Sequence, residues 1–151
     1  MEQASAAGNA EKEFAQVLAA LAREDSLAAL SHIEKALRLR DRPEWYSYLG
    51  YCIAKERGQH RKGLELCQDS LAVEPDNPAH FLNLGRVLLA KGDKVEALRV
   101  LREGMSKGGS PELEQQLERL GTRTPPVFPV LCRTNPFNRY LGILLSRLRL
   151  R

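Results

Sequence analysis

The residues able to do chemistry in this chain are few, and their spacing argues against most of the reactions they could serve. The histidines, His32, His60 and His80, are dispersed, and none has a metal-ligand type three or four residues on. One helical face therefore offers no pair of metal donors, and surface or interfacial roles are expected. Cys52, Cys67 and Cys132 make an odd count without close spacing, which fits neither a disulfide framework nor a zinc site. Cys52 and Cys67 read as core thiols acting as small apolar side chains, with a redox pair as the alternative. Gly92, Gly104, Gly108 and Gly109 do not form a phosphate loop, because no Gly-Lys-Ser/Thr follows a strand pattern. With no activated nucleophile in view, the expectation is a protein that is not an enzyme and has no cofactor and no bound metal.

The elements that carry these residues are expected to be all-α. Apolar residues make up 43% and charged residues 28% of 151, ordinary globular usage. Aromatics total 6%, while Leu, Ala, Glu, Lys and Arg dominate, and straight side chains lose little rotamer freedom in a helix. The residues from Met1 to Glu11 lack the basic-then-apolar order of a secretory signal, so a cytoplasmic location is expected. No run approaches the roughly 18 apolar residues of a membrane span. The net charge of +4 is unevenly placed: after Gly121 there are six arginines and no acid, so all 19 acidic residues lie in the preceding body. The body is slightly acidic and the tail basic. With no base-reading motif, nucleic acid is not an expected partner.

Self-comparison reveals a repeat. Pro43-Glu-Trp-Tyr-Ser-Tyr-Leu-Gly50 is echoed by Pro78-Ala-His-Phe-Leu-Asn-Leu-Gly85. In each copy an aromatic (Tyr46, Phe81) stands three residues before Leu-Gly (Leu49-Gly50, Leu84-Gly85), and a large apolar residue (Ile53, Leu88) follows three after. These positions share a helical face, and the glycine is expected to let a partner helix approach closely. A second helix follows in each copy. Small residues recur where the helices should meet, Gly63, Cys67 and Ser70 in one copy and Ala97, Leu101 and Gly104 in the next. Asp93 is the expected N-cap of the later second helix, with Glu96 placed to complete a capping box.

This order of aromatic, Leu-Gly, large apolar, small, large, small and proline (Pro75) resembles the tetratricopeptide repeat, whose period of about 34 residues lies close to the step from Pro43 to Pro78. The resemblance implies a short right-handed superhelix of antiparallel helix pairs. A degenerate repeat is expected at 9–42, where Ala29, Ile33 and Ala36 copy the small-large-small pattern, after a flexible segment at 1–8. Repeats at 43–77 and 78–109 follow, then a capping helix at 110–120 opened by Ser110-Pro111. Tyr46, Leu49, Gly50, Phe81, Leu84, Gly85 and Ala97 are the implied packing positions.

First helices of this family line a groove for peptides or helices, so the resemblance implies a protein-interaction adaptor. The implied groove positions are Glu44, Ser47, Tyr51 and Lys55 in one copy, then Ala79, Leu82, Arg86 and Leu89 in the next. Leu82 and Leu89 have an equal alternative, packing against a segment of the same chain. Some family members grip an acidic carboxyl terminus with a Lys/Asn/Arg clamp. Here Ser47 and Tyr51 stand at clamp positions, and Asn83 and Arg86 alone offer similar chemistry.

The remaining segment, 121–151, is similar to tails on small bacterial repeat proteins. Thr124-Pro-Pro-Val-Phe-Pro-Val-Leu131 is expected to run extended, since its prolines exclude a regular helix. Asn135-Pro136 then opens a basic amphipathic helix with Phe137, Tyr140, Leu141, Leu144, Leu145 and Leu148 at helical spacing. Three roles stand open for it: docking on the repeats, lying on an anionic membrane surface through residues 136–151, or engaging a partner protein. The membrane role would make the chain a peripheral membrane protein, the alternative to a purely soluble adaptor.

Overall fold

A computed structural model describes residues 2–121, with side chains from Ser5 onward. Seven helices follow one another among them: α1 (Glu2–Ala22), α2 (Ser26–Leu39), α3 (Tyr46–Arg57), α4 (His60–Val73), α5 (Pro78–Lys91), α6 (Lys94–Ser106) and α7 (Pro111–Gly121). A single 3-10 turn, Pro43–Trp45, leads into α3. Helix α1 runs back to Glu2, through residues expected to be a flexible lead. Alanines at 4, 6, 7 and 10 favour the helix there, and Ala10 is fully buried. Among the described residues, 2–117 form one compact unit, and the last turn of α7, from Glu118, falls outside it.

Local sequence explains the helix limits. Asp25 Oδ1 accepts the Ala28 N–H at 3.0 Å and caps α2, Asn77 caps α5 by accepting from Ala79 N–H, and Asp93 caps α6 by accepting from Glu96 N–H. The other half of the expected capping box is not made, because the Glu96 carboxylate turns to Arg99 instead. Ser110 Oγ accepts the Leu113 N–H at 3.2 Å, with Pro111 as the first residue of α7. At the other ends, Gly58 and Gly92 close α3 and α5 in the left-handed region, φ 66° and 93°, where any side chain would be strained.

The helices pack as neighbouring pairs, α1 with α2, α3 with α4 and α5 with α6, and the pairs stack through α2–α3, α3–α5 and α4–α5. The small positions read from the repeat all lie inside: Ala29, Ile33 and Ala36, then Gly63, Cys67 and Ser70, then Ala97, Leu101 and Gly104 are buried. Full burial of a residue such as Ile33 or Leu101 contributes about 1.5–3 kcal/mol. Phe14 of α1 stacks on Trp45 with ring centroids 4.6 Å apart, and Arg42 covers the same indole from 5.0 Å. That stack joins the first helix pair to the second.

The two well-formed pairs cross by different means. Between α3 and α4, backbone meets backbone: a Cβ on Gly50 would lie 2.6 Å from the Gly63 carbonyl oxygen, and one on Gly63 would lie 2.6 Å from the Gly50 oxygen. Between α5 and α6 each glycine receives a side chain of the other helix. A Cβ on Gly85 would meet Leu101 Cδ2 at 2.5 Å, and one on Gly104 would meet Phe81 Cβ at 2.6 Å. Both crossings repay the weak helix propensity of glycine with close packing.

Candidate partner-binding face and the network behind it

Helices α3 and α5 lie side by side as the first helices of adjacent repeats and bring three of the implied groove residues together. Tyr51 is half-buried. The Arg86 guanidinium sits 5.1 Å from its ring centroid, and Lys55 Nζ sits 5.8 Å from the centroid and 3.4 Å from the phenol oxygen. Lys55 reaches the ring because it is one helical turn after Tyr51, and Arg86 because it holds the matching position in the next repeat. Cations over an aromatic face are held by the ring quadrupole, at about 0.5–1 kcal/mol when exposed. No carboxylate among the described residues lies within ion-pair distance of either cation.

The other implied positions divide. Ser47 is fully enclosed and Leu82 is 7% exposed, so in this structure both are interior residues rather than open groove contacts. Hydrogen bonds from α3 to α5 hold Ser47 inside. Leu89 is half-buried against the cluster of Phe81, Leu88, Ala97 and Val100. Glu44 faces Arg42 at 3.7 Å, and Ala79 is half-buried in the first turn of α5. Among the packing positions, Gly50, Phe81, Gly85 and Ala97 are buried, while Tyr46, Leu49 and Leu84 are half-buried. The Tyr46 hydroxyl donates to Asp41 Oδ1 at 2.6 Å, and Leu49 lines a cleft with Glu34, Leu37 and Arg38.

Behind Tyr51 runs a polar network that the scattered histidines did not suggest. Glu74 Oε2 lies 2.8 Å from His80 Nε2, and His80 Nδ1 lies 2.8 Å from Ser47 Oγ. Asn83 Nδ2 donates to the same Ser47 oxygen at 3.0 Å, and Asn77 Nδ2 donates to Glu74 at 2.8 Å. A carboxylate only accepts, so His80 carries hydrogen on Nε2. In the neutral ring Nδ1 accepts from the Ser47 hydroxyl, which in turn accepts from Asn83, and every group is satisfied. Ser70 completes the set: its Oγ accepts the Ser47 N–H, otherwise unpaired in the first turn of α3, and donates to the Pro43 carbonyl. Hydrogen bonds from Asn77, then from His80, hold the Glu74 carboxyl below its ordinary value.

An acid, an imidazole and a hydroxyl in line are the parts of a nucleophilic relay. Here the line ends in the interior. Ser47 is 0% exposed and its oxygen is engaged by Asn83, so the chain of bonds ties α3, α4 and α5 together and offers no approach to a substrate carbonyl. The same bond removes Asn83 as a terminal-carboxylate donor.

Both described cysteines are buried thiols. Burial pushes Cys52 up to about 12 and raises Cys67 further, so neither is a ready nucleophile. His32 is half-exposed and faces Glu13 at 2.7 Å. Among the described residues no cluster of metal-ligating side chains occurs, and no helix is long and apolar enough to cross a membrane. Cys132, the extended segment with Val127, Phe128 and Leu131, and the basic helix with its docking, membrane and partner roles all lie outside the described residues.

No protein-family model and no curated protein matches the chain. Among solved structures it is similar to the Sgt2 TPR domain from Aspergillus fumigatus, with a TM-score of 0.55, 22% identity, and 83% of this chain and 91% of that one covered. A second similarity, to MamA protein, has a TM-score of 0.46 at 18% identity and covers 81% of this chain and 62% of that one.

Proposed function

We propose, from the tetratricopeptide-repeat fold that this chain shares, that it is a non-catalytic adaptor whose α3–α5 face binds a peptide or helix of another protein. The observation that carries this reading is the arrangement at Tyr51, where an aromatic ring and two cations stand at one surface with no carboxylate among the described residues paired to them. Aromatic and arginine side chains of this kind anchor protein interfaces, because they bury area at low entropic cost and keep hydrogen-bond donors for the partner. The polar network supports the reading from behind by fixing α5 against α3. A photo-crosslinking residue placed at 51 or 89, compared with one at the exposed position 69 on α4, tests it. Partner capture confined to 51 and 89 supports the face, and capture equal at all three positions rejects it.

A further inference from the structure

Resting on that reading, we infer that the face selects an acidic partner, a segment whose Asp or Glu side chains seat on Arg86 and Lys55 over the Tyr51 ring. The shared ring leads there. Arg42, Arg57, Arg61, Lys62, Arg99 and Lys107 each lie within 4.0 Å of a carboxylate; Arg86 and Lys55, like isolated cations such as Lys94 and Arg102, meet no described acid, but among the described residues they are the pair of cations brought to one aromatic ring. Two like charges brought to one ring repel each other, and an incoming anion relieves that repulsion. Its place over the ring also orders the guanidinium in advance without an acceptor among the described residues on its N–H groups, and a guanidinium matches a carboxylate bidentately.

The chain's own tail is the wrong occupant for this patch, because residues 122–151 carry six arginines and no acid. A free carboxyl terminus is also disfavoured. Gripping a chain end takes amide and hydroxyl donors beside the cations, and the candidates on these helices, Ser47 and Asn83, are buried and bound to each other. What remains exposed is suited to side-chain carboxylates along a segment.

The test uses the full-length protein and labelled decapeptides of glutamate or glutamine, each amidated at the carboxyl end, followed by fluorescence anisotropy. The glutamate peptide should bind about tenfold more tightly than the glutamine one, with the preference shrinking as salt shortens the screening length. Arg86→Gln and Lys55→Gln should each weaken glutamate binding by roughly three- to tenfold. Arg102→Gln, an exposed α6 control with the same charge change, should leave it unaltered. Tyr51→Phe should retain binding through the stacked ring, and Tyr51→Ala should lose it. Melting temperatures show that each variant is folded. Failure of the glutamate peptide to bind, equal binding of both peptides, equal effects of Arg86→Gln and Arg102→Gln, or tighter binding of a free-acid glutamate peptide than of the amidated one each overturns the assignment. Equal binding of both peptides that Tyr51→Ala still weakens keeps the face and removes only its acidic preference. Binding indifferent to Tyr51→Ala removes the face as well.

Discussion

His80 Nδ1 and Ser47 Oγ, 2.8 Å apart and 33 residues distant in sequence, join the first helices of two successive repeats through a bond that is wholly enclosed. Ser47→Ala removes the acceptor of Asn83 and the partner of His80 together. Stranding buried polar groups costs about 1–3 kcal/mol, so the melting temperature should fall by several degrees. Affinity for a bound partner, measured well below the transition, should stay near that of the parent. A variant that melts as the parent does but binds less would return Ser47 to the open face.

Glu74 predicts an acid limb of stability. Its folded value is depressed, so its contribution is complete above the ordinary value of 4.5 and is lost as pH falls through the lower folded value. Thermal melts between about pH 7 and pH 3 should show a steeper loss for the parent than for Glu74→Gln, with the Gln variant less stable at neutral pH. Parallel curves for the two proteins would mean that the carboxylate is not linked to folding.

Gly85 and Leu101 should behave as a coupled pair. Gly85→Ala forces a Cβ against Leu101 Cδ2, and overpacking typically costs about 1–3 kcal/mol, part of which is offset by better helix propensity. Leu101→Ala leaves a cavity and costs about 2–5 kcal/mol. In the double variant the new methyl enters space that Leu101 vacates, so the combined loss should be smaller than the sum. Additive losses in denaturant melts would show that the two residues do not touch.

Thiol chemistry offers a further check. In a Cys132→Ser variant, Cys52 and Cys67 should resist an aromatic disulfide reagent in the folded state and react fully after denaturation, since both are buried and their thiols are held protonated. Rapid labelling of the folded variant would place at least one of them at the surface.

The helix pairs were legible in the sequence because the repeat puts chemically alike residues where packing requires them. A Cβ at Gly50 or Gly85 would meet the facing helix, and Phe81 and Ala97 lie in one buried cluster. Asp93 and Ser110 caps were equally readable, because a cap depends on a few adjacent residues. The exposure of the proposed face was less legible. Positional correspondence placed Ser47 and Leu82 beside Tyr51, but which side chains remain open is a tertiary quantity, and Ser47 is drawn inside by its bonds to α5. The His80 network was hidden for a related reason. Its members are separated by up to 36 residues, and nothing local marks Ser47 as the partner of both His80 and Asn83.

The crossing of α3 and α4 at Gly50 and Gly63 carries a consequence for how this chain can vary. A methyl introduced at Gly85 presses on a side chain, so a smaller residue at 101 can absorb it, and a suppressor is within reach of a single further change. At Gly50 and Gly63 the nearest obstacle is the carbonyl of the facing helix, which every amino acid possesses. No second-site replacement of a side chain can remove it. Selection for folded variants from a randomised library should therefore recover compensated substitutions at 85 and retain glycine at 50 and 63, making the α3–α4 crossing the rigid joint and the α5–α6 crossing the adaptable one.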